Sequence, residues 1–235
     1  MMRAVLFDFG GTLYDYASLQ TAERESLLDL IGWAGVETDA MAVQGAYRDS
    51  MKDVFRTYLP QSFYFHRDLF RDALGGMLQR LGSEPTPDLL DRFREVQWNR
   101  HARDFTLRPG VHETLSELRR RGLHLGIVSN IDEDQLGHMI DLGSLRPYFD
   151  SLLSSEKARS CKPDQAIYEE ALRRAGCKAE EALFVGDTLL QDIAGANRMG
   201  MQSALIWHRD DREPPLGDVR PTHVIRQIPD ILALV

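Results

Sequence analysis

"AVLFDFGGTLYDY", residues 4–16, decides how the rest of the chain is read. An apolar run ends abruptly on a carboxylate, Asp8, and two glycines and a threonine follow at once. A short apolar run without polar alternation fits a strand covered on both faces, as in a parallel sheet. The charged end then has a positional reason, because ligands in such sheets bind outside the carboxyl ends of the strands.

Four more runs have the same character. With "RAVLFDF" (3–9), the segments "HLGIVSN" (124–130), "DSLLSSE" (150–156), "ALFVGD" (182–187) and "QSALIWH" (202–208) read as buried strands. Helical segments alternate with the last four: "HETLSELRRRG" stops on Gly122, and "DIAGANRMG" stops on Gly200. In "KPDQAIYEEALRRAG" Pro163 sits where a first helical turn tolerates it and Gly176 where a helix stops. This alternation predicts an α/β fold with a doubly wound parallel sheet. The polar, proline-rich stretch 208–223 predicts a surface loop before a last strand, "HVIR", and a closing helix.

The first strand breaks the alternation. From Tyr16 to Phe105 there is no strand signal, whereas Tyr47, Met51, Val54, Phe55 and Tyr58 fall at helical spacing. Phe70, Leu74, Met77, Leu78 and Leu81 do the same, and Leu89, Phe93 and Val96 continue the pattern. The chain is therefore divided into an α/β core, 1–15 with 106–235, and an all-helical insertion, 16–105. It re-enters the core through "RDFTLRPGV", punctuated by Pro109 and Gly110.

Bulk composition excludes several classes of function. The 235 residues are 43% hydrophobic and 27% charged, enough to bury a real core. A formal net charge of −8 argues against nucleic acid or a membrane surface as partner. No apolar stretch approaches the about 18 residues of a membrane span, and no signal-peptide pattern opens the chain. Cys161 and Cys177 have neither metal-ligand spacing nor a disulfide framework. A cytoplasmic protein is expected; monomer and homodimer both stay open.

The strand ends carry the chemistry. Asp8 follows the first strand, Ser129 and Asn130 the second, Lys162 the third, and Asp187 and Asp192 the fourth. Each has a plain structural reading: Ser129 as a helix cap with Asp132 in a capping box, Lys162 as a solvated lysine, Asp187 as a cap, Asp8 as a turn former. Together they converge on one edge of one sheet. Asp8 and Asp187 can share a hard cation through oxygen ligands, which suits Mg²⁺. Lys162, Ser129, Asn130 and backbone N–H groups of the Gly10–Gly11–Thr12 turn can hold a phosphoryl group. Asp8 is then placed to attack phosphorus and form an aspartyl-phosphate.

In order and spacing, "FDFGGTL", "VSN", "CKPDQAIY" and "VGDTLLQD" resemble the four motifs of haloacid dehalogenase-like (HAD) hydrolases. The resemblance spans the chain and implies a Rossmann-like core with a helical cap inserted after the first strand. It implies Asp8 as nucleophile, Ser129 as phosphate ligand and Lys162 as the motif-three lysine. Metal ligands would be Asp8, Asp187 and the Gly10 carbonyl, with Asp192 orienting a water or a backbone group. A Mg²⁺-dependent phosphatase acting on a small phosphorylated metabolite is expected, because a lid excludes bulky polymers. Tyr14, Tyr16, Phe63, Tyr64, Arg67 and Trp98 are candidates for lining an entrance.

One position departs from the pattern. Phosphatases of the family usually carry a second aspartate two residues after the nucleophile, a proton donor and acceptor, where this chain has Gly10. General acid–base help is worth ~10²–10⁴-fold, so a slow phosphatase is expected and not an inert one. Asp15, His66 and His101 are candidate substitutes. Haloacid dehalogenases also lack the second aspartate, but they work without metal and lack the motif-four acid that this chain keeps. A regulatory binding protein on a weakened scaffold is the other alternative, supported by Gly10 and opposed by the retained nucleophile. The "DFG" at 8–10 has no room for the preceding elements of a kinase.

Overall fold

In the computed structural model, which describes residues 1–208 and 213–235, the strands are β1 (Ala4–Phe7), β2 (His124–Ser129), β3 (Ser151–Ser154), β4 (Ala182–Gly186), β5 (Gln202–Ile206) and β6 (His223–Ile225). They form one sheet in the order β3-β2-β1-β4-β5-β6, and every pairing is parallel. β1 therefore lies between β2 and β4, at the place where the strand order reverses direction, and such switch points are where these sheets bind ligands. Phe7 stands opposite both Ile127 and Val185, so the ends of all three central strands are level. The Asp8 amide extends this ladder by donating to the Val185 carbonyl at 2.8 Å.

The chain falls into two compact units, Met1–Asp15 with Thr106–Val235, and Tyr16–Phe105. In the first, β1 and β4 are buried at every position, which accounts for their unbroken apolar runs. Around the sheet stand α5 (Val111–Arg120), α6 (Glu133–Leu142), α7 (Ser155–Ala158), α8 (Gln165–Ala175) and α9 (Ala194–Arg198). Ile167, Tyr168 and Ala171 of α8 join Leu6, Val128, Leu153 and Phe184 in one cluster. Side chains of this size contribute ~1.5–3 kcal/mol each on full burial.

The structure moves one sequence expectation. α8 does not take Pro163 into its first turn. It begins after Asp164, whose carboxylate accepts from the Ala166 amide at 3.0 Å and caps the helix, and it closes on Gly176 at φ 61°. A capping carboxylate satisfies an amide that would otherwise have no partner, which proline at that place cannot do. β6 is the expected last strand, while the closing helix is a 3₁₀ segment, Ile228–Ala233. Of the loop expected at 208–223, residues 209–212 lie outside the described residues; 213–222 carry no helix or strand.

The second unit consists of α1 (Gln20–Trp33), α2 (Ala40–Tyr58), α3 (His66–Arg80) and α4 (Pro87–Asp104). Its core joins Leu27, Leu30 and Ile31 of α1 to Val43, Leu74, Met77, Leu78 and Phe93. The sequence stripe is right in phase but errs on two aromatics. Phe55 and Phe70 are 40% and 41% exposed, while Val54 of the same stripe is buried and Leu69 is buried in place of Phe70. One residue is a rotation of about 100° on a helix, enough to leave the apolar face. Among the described residues no helix is long and apolar enough to cross a membrane.

Candidate active site

Five strand-end residues meet at the switch point. Asp8 Oδ1 accepts from Lys162 Nζ at 2.6 Å and from Ser129 Oγ at 3.1 Å, and its Oδ2 accepts from Thr12 Oγ1 at 3.2 Å. Lys162 Nζ donates a second bond, to Asp192 Oδ1 at 2.7 Å. The other oxygen of Asp192 accepts from the Thr188 amide at 2.9 Å and the Thr188 hydroxyl at 2.6 Å. Ser129 is thus not a helix cap: α6 starts at Glu133, and the serine hydroxyl faces Asp8. Lys162 is not solvated either, with a side chain 1% exposed.

Asn130 works on the lysine. Its carboxamide donates to the Lys162 carbonyl at 2.9 Å and accepts from the Lys162 amide at 2.7 Å. The side chain that the sequence offers as an anion ligand therefore fixes the segment that delivers Lys162. Gly11 has φ 80°, and a Cβ there would come within 2.1 Å of Asp187 Oδ2. Only glycine lets the turn after β1 lie against the Asp187 carboxylate.

Charge is concentrated here. Carboxylate oxygens of Asp8, Asp187 and Asp192 lie within 4.8 Å of one another, so the three can hold a metal ion. Three carboxylates facing one ammonium leave two negative charges uncompensated when all are ionised. Burial, followed by repulsion from Asp8 and Asp192, pushes Asp187 up to about 8. Burial also raises Asp8, against the pull of Lys162. Burial alone would lower Lys162, but Asp192 and Asp8 hold it up at about 12, so it stays an ammonium. A hard divalent cation matches both the all-oxygen donor set and the missing charge.

Sequence reasoning passes over three supporting residues. Arg108, on the segment returning to the core, donates to the Gly11 carbonyl from two nitrogens at 3.2 and 2.7 Å and to Asp15 Oδ2 at 3.2 Å. Thr188 stands just before a helical turn, yet its hydroxyl caps no amide there and instead donates to Asp192, which it orients. Tyr168 on α8 donates to the Gln191 carbonyl, and its ring fills the space that Gly195 leaves by having no side chain. It thereby braces the π-helical turn Leu189–Ile193 that carries Asp192. Turns of this kind free backbone carbonyls and occur often at functional sites.

The candidate substitutes for the missing acid have these surroundings. Asp15 is paired with Arg108. His66 and His101 belong to the helical unit, where His66 stacks on Tyr64 at 5.0 Å. Of the entrance candidates, Tyr14 is buried against Phe9, Tyr16 is exposed, Tyr64 packs on Tyr58 and Arg67 lies over Phe65. Trp98 lies under Arg94, and Phe63 meets Phe65 edge to face.

The family model of haloacid dehalogenase-like hydrolases matches residues 5–206. The chain belongs to that family. A glyceraldehyde 3-phosphate phosphatase of Methanopyrus kandleri is 34% identical over all of this chain and 97% of its own length. A ribulose-1,5-bisphosphate 5-phosphatase of Halopiger xanaduensis is 31% identical over 87% of this chain and 84% of its own. Among solved structures, an L-2-haloacid dehalogenase superposes with a TM-score of 0.75 at 28% identity, covering 100% of this chain and 98% of the other. The chain is thus a HAD hydrolase, and both of these curated relatives, matched over most of their length, are phosphatases.

Proposed function

We propose that the protein is a Mg²⁺-dependent phosphohydrolase that opens small phosphate monoesters through an aspartyl-phosphate on Asp8. The observation that carries this reading is the buried cluster Asp8–Lys162–Asp192 with Asp187 beside it, short of two positive charges. A dehalogenase would bring an anionic haloacid into that excess of negative charge. The same excess suits a cation bound together with a phosphoryl group.

Asp8 Oδ1 is held by Lys162 and Ser129, while Oδ2 is engaged more weakly by Thr12, so Oδ2 is the oxygen that attacks. The new bond from Oδ2 to phosphorus forms as the ester oxygen leaves with its electron pair. Water then attacks phosphorus, inorganic phosphate departs and the Asp8 carboxylate is restored. Lys162 neutralises charge on the phosphoryl oxygens, and the Gly11 and Thr12 amides are the backbone donors for them. Asp8, Asp187 and the Gly10 carbonyl would hold Mg²⁺, and Asp192, already engaged by Thr188 and Lys162, would steady the site from behind. When bound, the cation supplies the missing positive charge and orients the phosphoryl group.

Gly10 has no proton to give, so the leaving oxygen takes its proton from water. Aryl and acyl phosphates, whose leaving groups need little help, are the better substrates. The helical unit acts as the cap that selects among them. The test is a panel of phosphate esters assayed with and without Mg²⁺. Expected are turnover that requires the metal, a loss of about 10⁴-fold or more in Asp8→Asn, and a gain toward alkyl esters of ~10²-fold in Gly10→Asp. Chloroacetate turnover in EDTA would make the enzyme a dehalogenase instead. Absence of turnover together with failure to bind beryllofluoride, an acyl-phosphate mimic, would make it a binding protein.

A further inference from the structure

We infer that Arg108 is a positioning residue that clamps the turn after the nucleophile, and that Asp15 holds the clamp; the inference rests on the phosphohydrolase reading above. The turn Gly10–Gly11–Thr12 has to present backbone groups to the phosphoryl oxygens and to a cation. Two consecutive glycines give it wide intrinsic backbone freedom, since each lacks the Cβ that narrows it. Gly10 brings no side chain to the turn, so it can restrain the turn only through its backbone.

The structure supplies the restraint from a distance of 97 residues along the chain. Arg108 Nε and one terminal nitrogen both point at the Gly11 carbonyl, at 3.2 and 2.7 Å, and the other terminal nitrogen meets Asp15. The guanidinium side chain is 13% exposed, sheltered enough for these bonds to hold their geometry. Backbone pairing fixes its base: the Arg108 amide donates to the Leu13 carbonyl at 2.9 Å, and Leu107 bridges Tyr14 antiparallel. The segment leaving the core and the segment re-entering it are thus joined, and Arg108 reaches from that joint to Gly11. A planar fork suits two donors converging on one carbonyl while a third engages a carboxylate. Lysine keeps the charge and cannot reproduce that fork.

The test compares wild type, Arg108→Ala, Arg108→Lys and Asp15→Asn. Each is titrated with beryllofluoride in Mg²⁺, assayed for kcat and KM on an aryl phosphate, and melted thermally. A misplaced cradle costs about 10–100-fold. Arg108→Ala is expected to weaken beryllofluoride binding and to raise KM while lowering kcat by that order. Arg108→Lys should recover only part of this, and Asp15→Asn should shift both in the same direction by less. Wild-type-like binding in Arg108→Ala overturns the clamp. So does full recovery by lysine, which would leave charge as the whole effect. If the alanine variant fails to fold, the lysine variant decides in the same way. A wild-type protein that binds no beryllofluoride removes the phosphohydrolase reading itself and the clamp with it, an outcome distinct from loss in the variants alone.

Discussion

Two sets of ion pairs share a 2.6 Å bond to an aspartate and little else. At the sheet edge Lys162 meets Asp8 and Asp192 at 2.6 and 2.7 Å, with side chains 1%, 9% and 1% exposed. In the helical unit Arg100 meets Asp29 at 2.6 Å and Glu25 at 3.4 Å, with side chains 21%, 43% and 42% exposed. Taking charge out of water is costly, and attraction inside the protein offsets that cost only in part. The open pairs carry almost none of the cost and give almost none of the gain. Sealing charge away is thus a sign of a task, and distance alone does not reveal it.

The sharpest break of this comparison is Lys162→Met, which keeps the stem and removes the ammonium. Asp8 and Asp192 are then buried without their cation, and loss of one partner from a buried pair costs ~3–5 kcal/mol. The pH dependence has a definite sign. Asp187 is raised to about 8, so the folded protein binds its proton more tightly than the unfolded chain does. Stability from this group is greatest at acid pH and falls as pH rises from the ordinary carboxylate range to about 8. The variant should therefore lose most at pH 8, and added Mg²⁺ should recover part of the loss by binding the folded state alone. Denaturant melts at pH 5 and pH 8 measure this; equal losses at both would show that carboxylate repulsion is not the cause.

What the sequence discloses follows the same division. Asp8, Ser129, Lys162, Asp187 and Asp192 are legible because strand ends are local features, and the parallel sheet brings those ends to one edge. Arg108 is not legible. Its partners are Gly11 and Asp15, on the far side of the helical insertion, and nothing in "LRPGV" marks it as anything but a residue before a turn. Asn130 is legible as a site residue, but its two bonds to the Lys162 backbone are not, because which backbone its carboxamide meets depends on the path of that segment. In the helices, apolar periodicity finds Leu74, Met77 and Phe93, and it fails at Phe55 and Phe70 because an aromatic ring can sit at the margin of a core. Burial of Ser26 and Ser50 leaves no apolar trace at all.

His66 sharpens the contrast by reversing its sign. The residue is half-buried, yet its Nε2 is closed off from solvent, and burial lowers its pKa to about 4. The unfolded chain therefore takes up the proton more readily. Stability from this group is complete above about pH 6.5 and is lost as pH falls toward 4, by at most about 3 kcal/mol. The helical unit should weaken in acid, where the carboxylate cluster of the other unit relaxes. His66→Phe should flatten the acid side of the stability profile, followed by denaturant melts from pH 4 to 8. An unchanged acid slope would assign the loss to other groups.

Arg100→Met is the smallest change and the one that bears directly on exposure. It removes the pairs to Asp29 and Glu25 and the 3.2 Å bond to Ser26 Oγ, while Ser26 keeps its own bond to the Ala22 carbonyl at 2.7 Å. No buried group is left without a partner, and both carboxylates return to water. The expected cost is about 1 kcal/mol or less. It should shrink further in 1 M NaCl, where screening acts within about 3 Å. The Lys162→Met loss should persist in the same salt, because buried charges with side chains 1% exposed are screened far less than open ones. A comparable loss in both variants, or the same salt response, would mean that the seal around Lys162 is not what separates the two sets of charges.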